Sequence, residues 1–159
     1  MLTPTNLARL AAWAGISPET HRHLHKNVCQ CGSHDFYVMT AGDYDVAYCE
    51  DCNGRWDDRA SYNFIAPDPT DPAADPQVVD DVWASRLMWT LATSHEWDTE
   101  GFDLYLTDTG DYGVVLSPRI YEADLKPANE CAPSATLALL LAARAAGVPE
   151  IVECMGDEA

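Results

Sequence analysis

Apolar residues recur at helical spacing near the start of the chain and alternate with polar residues further along it. Residues 2–14 place leucines and alanines on one face, which predicts a short amphipathic helix that ends at Gly15. Residues 17–19, Ser-Pro-Glu, have the composition of a second helix start, and we expect that helix to extend to about Lys26. The N-terminal segment is therefore predicted to be helical.

A pattern typical of β-strands follows. Residues 35–40 and 44–48 are rich in β-branched and aromatic side chains, and Ala-Gly-Asp at residues 41–43 supplies a turn between them. The pattern predicts a β-hairpin, with a third short strand at residues 55–57.

Residues 66–76, with the sequence APDPTDPAADP, contain four prolines and almost nothing that could be buried. This composition is typical of a semi-rigid linker, so we expect a domain boundary here. The predicted parts are a helical segment, a hairpin domain, the linker and an acidic domain, at residues 1–26, 27–65, 66–76 and 77–159.

Two amphipathic helices are predicted in the second half of the chain. The first begins at Asp75-Pro76 and ends near Ser94, with apolar residues near the 3.6-residue period at Val79, Val82, Trp83, Leu87 and Leu91. The second begins at residues 133–134 and is ended by Gly147.

Between these helices the pattern alternates again. Residues 102–107 and 112–116 predict a hairpin with one buried face, and residues 120–125 are interpreted as a third strand or a loop. Because the helices and the hairpin can cover each other's apolar faces, they predict a layered helix–hairpin–helix sandwich. The fold class predicted for the whole chain is α+β.

Charge is distributed unevenly along the chain. Its 26 acidic and nine basic side chains give a net charge of -17, of which residues 1–66 carry -3 and residues 67–159 carry -14. Nucleic-acid binding needs Lys and Arg to neutralise phosphates, so the second half is a poor candidate for direct contact with DNA or RNA. Such an acidic surface suits a basic protein partner or keeps the chain soluble.

Nothing in the sequence has the pattern of an export signal or a membrane span. The longest apolar run, residues 136–146, is too short to cross a bilayer and contains Arg144. Six cysteines without an export signal favour thiols or metal ligands over disulfides. We therefore expect a cytoplasmic protein with no membrane contact.

Four of the cysteines lie in two close pairs around the predicted hairpin. Cys29 and Cys31 precede its first strand, and Cys49 and Cys52 follow its second, so the hairpin brings both pairs to its open end. Four thiolates suit zinc in tetrahedral geometry, and a segment of about 30 residues has too small a core to fold without a metal. We therefore predict a zinc cofactor bound by these four residues.

The order of turns and strands in residues 27–58 resembles a zinc ribbon. Cys-Gly-Ser at residues 31–33, followed by Phe36, is similar to the usual first knuckle, and residues 49–54 are similar to the second. The resemblance implies a structural zinc site at the open end of a hairpin. With the predicted N-terminal helices, the expected order is helices followed by a zinc-ribbon β-hairpin.

The first knuckle departs from the usual ribbon pattern. One residue instead of two separates its cysteines, and Val28 stands where the outer cysteine is expected. Either Cys29 reaches the ion through an altered loop, or a histidine, His34 or His25, completes the site. We prefer Cys29.

The remaining histidines and cysteines carry no recognised motif. His21 and His25 would share a helical face, but no third ligand follows at a recognised spacing, so we expect a solvated helix face. Cys131 and Cys154 are isolated in the sequence and are predicted to be core or surface thiols.

Residues 72–147 contain, in order, a tryptophan-containing helix, a hairpin that ends in YGVVL, Glu-Ala-Asp at residues 122–124 and an alanine-rich closing helix. This layout resembles the small α/β/α sandwich domains of bacteriophage proteins that have no assigned role. The resemblance implies a phage or prophage origin. This chain inserts residues 126–131 before the last helix, which the usual pattern does not need.

The acidic half contains no recognised catalytic motif. His95-Glu96 with Asp98, or Glu122 with Asp124, can be drawn as acid/base pairs, but such pairs arise by chance in an acidic segment. The sequence lacks a phosphate-binding glycine loop, a nucleophile elbow and a nuclease-like group of carboxylates with a lysine. We therefore expect that the protein is not an enzyme.

These features predict a non-enzymatic, zinc-containing phage or prophage accessory protein that binds a host or viral protein. One alternative is an acidic nucleic-acid mimic that inhibits a basic defence or transcription protein. A second is a nucleic-acid-binding zinc ribbon with an acidic appendage, which would use residues 21–26 with Arg55, Trp56 and Arg59. We expect a protein as the partner and do not expect direct nucleic-acid binding.

Overall fold

The computed structural model describes residues 1–21, 24–64, 66–120 and 122–156. Its elements are α1 (Pro4–Trp13), β1 (His25–Cys29), β2 (Phe36–Ala41), β3 (Tyr44–Cys49), α2 (Trp56–Arg59), β4 (Ala60–Phe64), α3 (Pro76–Ser94), β5 (Trp97–Leu106), β6 (Tyr112–Pro118), β7 (Ala128–Ala132), α4 (Ala135–Ala146) and α5 (Pro149–Met155). Helices and sheets are both present, so the predicted α+β class is confirmed. The chain forms two compact units: a smaller unit, Pro18–Ile65, and a larger unit that combines Met1–Ser17 with Ala66–Ala159.

The smaller unit contains two antiparallel strand pairs. Strands β2 and β3 form the predicted hairpin, with Phe36 opposite Cys49 and Ala41 opposite Tyr44. Strands β1 and β4 form the other pair, in which Cys29 lies opposite Ala60. The two-residue turn of the hairpin uses Gly42 at a φ of 71°, a left-handed conformation that glycine adopts without steric cost.

Two predictions for this unit are wrong. The second helix, expected to extend to about Lys26, is replaced by strand β1, although residues 22 and 23 lie outside the described part of the chain. The strand expected at residues 55–57 is also absent: Arg55 forms a single bridge with Tyr48, and α2 follows it directly. A strand forms a few residues later instead, at β4. Because β4 pairs with β1, the segment before Cys29 becomes a strand, and this pairing outweighs its weak local helical preference.

Helix α4 lies at the centre of the larger unit. It contacts β6 and β7 on the sheet side, and α3 and α5 among the helices, while α1 packs against α5. Ser134 caps α4 through a bond from the Leu137 backbone N–H to its hydroxyl, and Gly147 ends the helix at a φ of 87°. Both termini agree with the sequence prediction.

Helix α3 supplies a second apolar face to this core. The five apolar residues that the sequence placed at helical spacing are all buried: Val79, Val82, Trp83, Leu87 and Leu91. The Trp83 indole N–H donates a 2.8 Å hydrogen bond to the Pro67 carbonyl, which satisfies its polar group inside the core. The predicted helix and its buried face are confirmed.

The sheet of the larger unit has the order β5-β6-β7. Its third strand is β7, which pairs with β6 from Tyr112–Ala132 to Leu116–Ala128. Residues 120 and 122–125 form turns and irregular backbone instead, so the loop interpretation of that segment is correct for its described residues. Residues 126–131, interpreted as an insertion, supply most of the strand that completes the sheet.

The predicted linker is part of the larger unit. Asp68 accepts hydrogen bonds from the Leu2 and Thr70 backbone N–H groups, at 2.8 Å each, and Asp75 caps α3. Short side-chain turns of this kind hold the proline-rich segment against the unit, so it is not extended. The division between the compact units falls at Ala66, and α1 belongs to the larger unit.

Within the described residues, no single helix is long and apolar enough to cross a membrane. Helices α4 and α5 reach the length and apolar composition of a membrane span only when taken together, and the chain bends by 107° between them. Most of α4 is buried inside the protein.

Asp80 connects α3 to the start of α4, and its removal tests that connection. Its carboxylate accepts the backbone N–H groups of Ala135 and Thr136, at 3.1 and 2.9 Å, which have no partner within α4. We expect Asp80→Ala to lower the free energy of unfolding by about 1–2 kcal/mol. Chemical denaturation followed by circular dichroism measures this change, with exposed Asp81→Ala as the control. Equal effects of the two substitutions would contradict the capping role.

Candidate metal centre

Four cysteines converge where the two strand pairs of the smaller unit end. Cys29 ends β1 and Cys49 ends β3, while Cys31 and Cys52 lie in the turns that follow them. The four sulfur atoms all lie within 4.8 Å of one another. The structure therefore brings together the four residues that the sequence selected.

The distances between the sulfurs fit one tetrahedral metal ion. The Cys29 and Cys52 Sγ atoms are 3.6 Å apart, and those of Cys31 and Cys49 are 3.5 Å apart. Tetrahedral zinc with bonds of about 2.3 Å separates its sulfurs by about 3.8 Å, whereas a disulfide needs about 2.05 Å. The group is compatible with a metal site and is too open for disulfides.

The two turns have the same construction although their cysteine spacings differ. In the first, the Cys29 N–H donates to the Ser33 carbonyl and the Gly32 N–H donates to the Cys29 carbonyl. In the second, the Cys49 N–H donates to the Gly54 carbonyl and the Asn53 N–H donates to the Cys49 carbonyl. The first turn is one residue shorter, so a Cys-X-Cys sequence still directs both of its sulfurs into the group.

A left-handed residue directly follows the second cysteine of each pair. Gly32 has a φ of 93°, and Asn53 has a φ of 57° and is the one non-glycine residue with positive φ among those described. Asparagine is one of the few residues that adopts this conformation readily. The matching geometry explains how the shorter first knuckle is accommodated.

Backbone N–H groups point at the sulfurs and favour thiolates. The Cys31 backbone N–H lowers the pKa of Cys29, and those of Cys52 and Asp51 lower the pKa of Cys49 to about 6. Cys31 responds differently: the Ser33 backbone N–H favours its thiolate, but the neighbouring Cys49 sulfur and burial raise its pKa to about 12. Four thiolates this close repel one another, which a bound cation would offset.

Arg59 supplies a positive charge beside the group. Hydrogen bonding to the Cys29 sulfur, followed by the charges of the Cys52 and Cys29 thiolates, raises the pKa of Arg59. The aliphatic part of Arg59 lies over Gly54, where a Cβ atom would overlap the arginine Cδ. Glycine at this position therefore makes room for the arginine. From sequence alone, Arg59 is predicted only at a possible nucleic-acid surface, because its proximity to Cys29 depends on the tertiary fold.

A small apolar cluster supports the site from one side. Cys29, Cys49 and Trp56 are buried together, and the Phe36 ring packs on Trp56 with a centroid separation of 5.1 Å. The Trp56 side chain, considered as a nucleic-acid contact in the sequence analysis, is therefore part of the support for the cysteine group.

The histidines lie outside this group as far as the structure describes them. His34 is exposed, and the side chain of His25 lies outside the described part. His21 is buried, with its Nδ1 atom 2.7 Å from the Thr20 hydroxyl, and it precedes a strand rather than lying in a helix. The expected solvated helix face for His21 and His25 is therefore wrong.

The other candidate residues lie in the larger unit. Cys131 is exposed on β7 and Cys154 is buried in α5, in agreement with surface and core thiols. His95 lies between Glu122 and Glu150, with its two ring nitrogens 3.6 and 3.7 Å from their carboxylates.

Comparison with known proteins identifies no relative of this chain. No protein-family model, curated protein or solved structure matches it. The case for a metal site therefore depends on the geometry of Cys29, Cys31, Cys49 and Cys52.

Replacing Cys29 tests the four-sulfur site. A change outside the ligand shell typically weakens metal binding by about 10–100-fold. We expect Cys29→Ser to weaken zinc binding by more than this, because one thiolate ligand is lost. Competition with a chromogenic chelator measures the affinity, and Cys131→Ser is the matched control. Unchanged zinc content and affinity in Cys29→Ser would show that this cysteine is not a ligand.

Replacing Arg59 tests the charge beside the site. We expect Arg59→Met to weaken zinc binding by about tenfold, since the thiolates lose a neighbouring cation and a hydrogen-bond donor. Arg59→Lys should retain part of the affinity because it keeps the charge. The same competition assay measures the zinc affinities, with exposed Arg55→Met as the control. Equal zinc affinities of Arg59→Met and Arg55→Met would contradict the role of the Arg59 charge beside the thiolates.

Proposed function

We propose that this protein is a non-enzymatic zinc protein that binds another protein through its smaller unit. The observation that carries the proposal is the convergence of Cys29, Cys31, Cys49 and Cys52. Four thiolates fill the tetrahedral positions of zinc and leave none for water or substrate, which is the composition of a structural site. Zinc held in this way serves the fold of the unit.

The smaller unit has little else to hold it together. Its buried apolar residues, within the described part, are Cys29, Val46, Cys49 and Trp56. Units of this size rarely have enough apolar core to fold without a metal or disulfides. A zinc ion would fix both turns and so hold the β2–β3 hairpin in place.

The hairpin presents apolar side chains to solvent. Phe36, Val38, Met39 and Tyr44 are between 50% and 65% exposed. Phe36 and Val38 lie on one face of the hairpin, and Met39 and Tyr44 lie on the other. Exposed apolar side chains on both faces of so small a unit favour a protein-binding surface. Residues 35–51 also contain five carboxylates and no Lys or Arg, which disfavours contact with nucleic-acid phosphates.

The nucleic-acid-mimic alternative has weaker support. Asp68, Asp75, Asp80 and Glu122 accept hydrogen bonds from backbone N–H groups, so part of the acidity of the larger unit has a structural role. The nucleic-acid-binding alternative loses Arg59, which is engaged by Cys29. The phage origin and the cytoplasmic location stay predictions.

Capture of a partner by the full-length, zinc-loaded protein tests the proposal. We expect a protein from bacterial lysate to be retained after nuclease treatment, and to be lost when Val38 and Met39 are both changed to serine. The matched control changes Leu106 and Ile120 to serine, which are exposed apolar residues of the larger unit. Quantitative mass spectrometry of the eluates compares the variants, and the zinc content of each variant shows that the site is intact.

Three outcomes would contradict the proposal. Retention of nucleic acid alone, removed by nuclease, would favour the nucleic-acid-binding ribbon. Capture that depends on Leu106 and Ile120 but not on Val38 and Met39 would place the interface on the larger unit. Capture that DNA displaces and high salt abolishes, with no effect of the hairpin substitutions, would favour the mimic.

A further inference from the structure

Strand β2 has an open edge. In the part of the chain that the structure describes, it pairs with β3 alone, through six consecutive residue pairs from Phe36–Cys49 to Ala41–Tyr44. The register contains no bulge. Along its other edge, no strand formed by the described residues pairs with the backbone N–H and C=O groups of β2.

This edge lacks the features that usually protect edge strands. Soluble proteins interrupt such edges with lysine, proline, bulges or very short strands. Strand β2 has the sequence FYVMTA, with no charged residue and no proline. Phe36 is 50% exposed, Val38 56% and Met39 55%. An unprotected apolar edge is a template on which an extended peptide can add a strand.

The turn determines which backbone groups face outward. Residues 42–43 form a two-residue turn, so the flanking pair, Ala41 and Tyr44, exchanges hydrogen bonds across the hairpin. Hydrogen-bonded and non-hydrogen-bonded pairs then alternate along the strands. Val38 and Thr40 consequently direct their N–H and C=O groups away from β3.

Charge indicates the chemistry of the added strand. Asp35 lies just before β2, Asp43 lies in the turn and Asp45 lies opposite Thr40, and no Lys or Arg occurs among residues 35–51. A strand that carries Lys or Arg would meet these carboxylates favourably.

A second copy of this chain fits the edge less well. Antiparallel pairing of two β2 strands through their outward groups can be centred on Val38 or on Met39. The Met39-centred register sets Asp35 of each copy opposite Asp43 of the other, and in both registers a strand flanked by Asp35, Asp43 and Asp45 meets an equally acidic copy with no Lys or Arg to offset the repulsion. The charge pattern favours a different protein.

We infer that the open edge of β2 binds an extended segment of a partner protein in which apolar residues alternate with Lys or Arg. The bound segment extends the hairpin by one strand, with hydrogen bonds to Val38 and Thr40. This inference rests on the proposed protein-binding function and names the surface and the partner chemistry.

The experiment uses the full-length, zinc-loaded, ¹⁵N-labelled protein and an acetylated, amidated peptide of alternating lysine and valine. We expect saturable shifts of the Val38 and Thr40 amide signals on peptide addition. A peptide of alternating glutamate and valine should bind at least tenfold more weakly. A lysine–valine peptide that is N-methylated at alternate residues, and so cannot donate along one edge, should also bind at least tenfold more weakly.

Variants of Val38 separate backbone pairing from side-chain contact. Val38→Pro removes an outward N–H while leaving the bonds to β3 in place, and it should weaken peptide binding at least tenfold. Val38→Thr keeps the N–H and a branched side chain and should bind as the parent protein does. If Val38→Pro fails to retain zinc, the N-methylated peptide makes the same test on the unchanged protein.

Four results of these binding and self-association experiments would overturn the inference. These are no shift of the β2 amides at millimolar peptide, equal affinity for the lysine and glutamate peptides, undiminished binding of the N-methylated peptide, and concentration-dependent self-association through β2 that Val38→Pro removes. The last result would assign the edge to a second copy. A captured protein that Val38→Pro still retains would refute edge pairing while leaving the proposed function intact.

Discussion

The meeting of four cysteine sulfurs is the constraint on which the smaller unit depends. Cys29 ends β1 and Cys49 ends β3, so the site ties together two strand pairs that share no strand. Among the residues of the unit whose burial the structure describes, few others are buried and apolar, and four close thiols repel one another once ionised. A metal ion would convert that repulsion into the main stabilising interaction, with Arg59 and the backbone N–H groups supporting the charge.

The two units are stabilised in different ways. The larger unit buries apolar faces of α3 and the sheet around α4, as an ordinary layered domain does. It uses several of its carboxylates as helix caps and turn acceptors, Asp68 and Asp80 among them. In the smaller unit, few of the described residues form an apolar core, and the apolar residues Phe36, Val38 and Met39 of β2 are exposed. This contrast is why the proposed binding surface lies on the hairpin.

Sequence pattern was sufficient wherever structure depends on neighbouring residues. Helical spacing predicted the buried face of α3, Ser134 and Gly147 marked the ends of α4, and alternation predicted both hairpins. The paired cysteines identified the candidate site, because their close spacing around a hairpin already limits where the sulfurs can lie. In each case the determining interaction spans only a few residues or one turn.

The sequence by itself therefore determined the fold class, most of the helices, both hairpins and which four cysteines form the candidate metal site. Tertiary structure alone decided that the segment before Cys29 is strand β1, because its partner β4 lies more than thirty residues further along the chain. The same holds for β7, which is a strand only because β6 offers it an edge. It also holds for Arg59, whose place beside Cys29 requires the space over Gly54. Long-range pairing and close packing override local preference, and no short window of sequence records them.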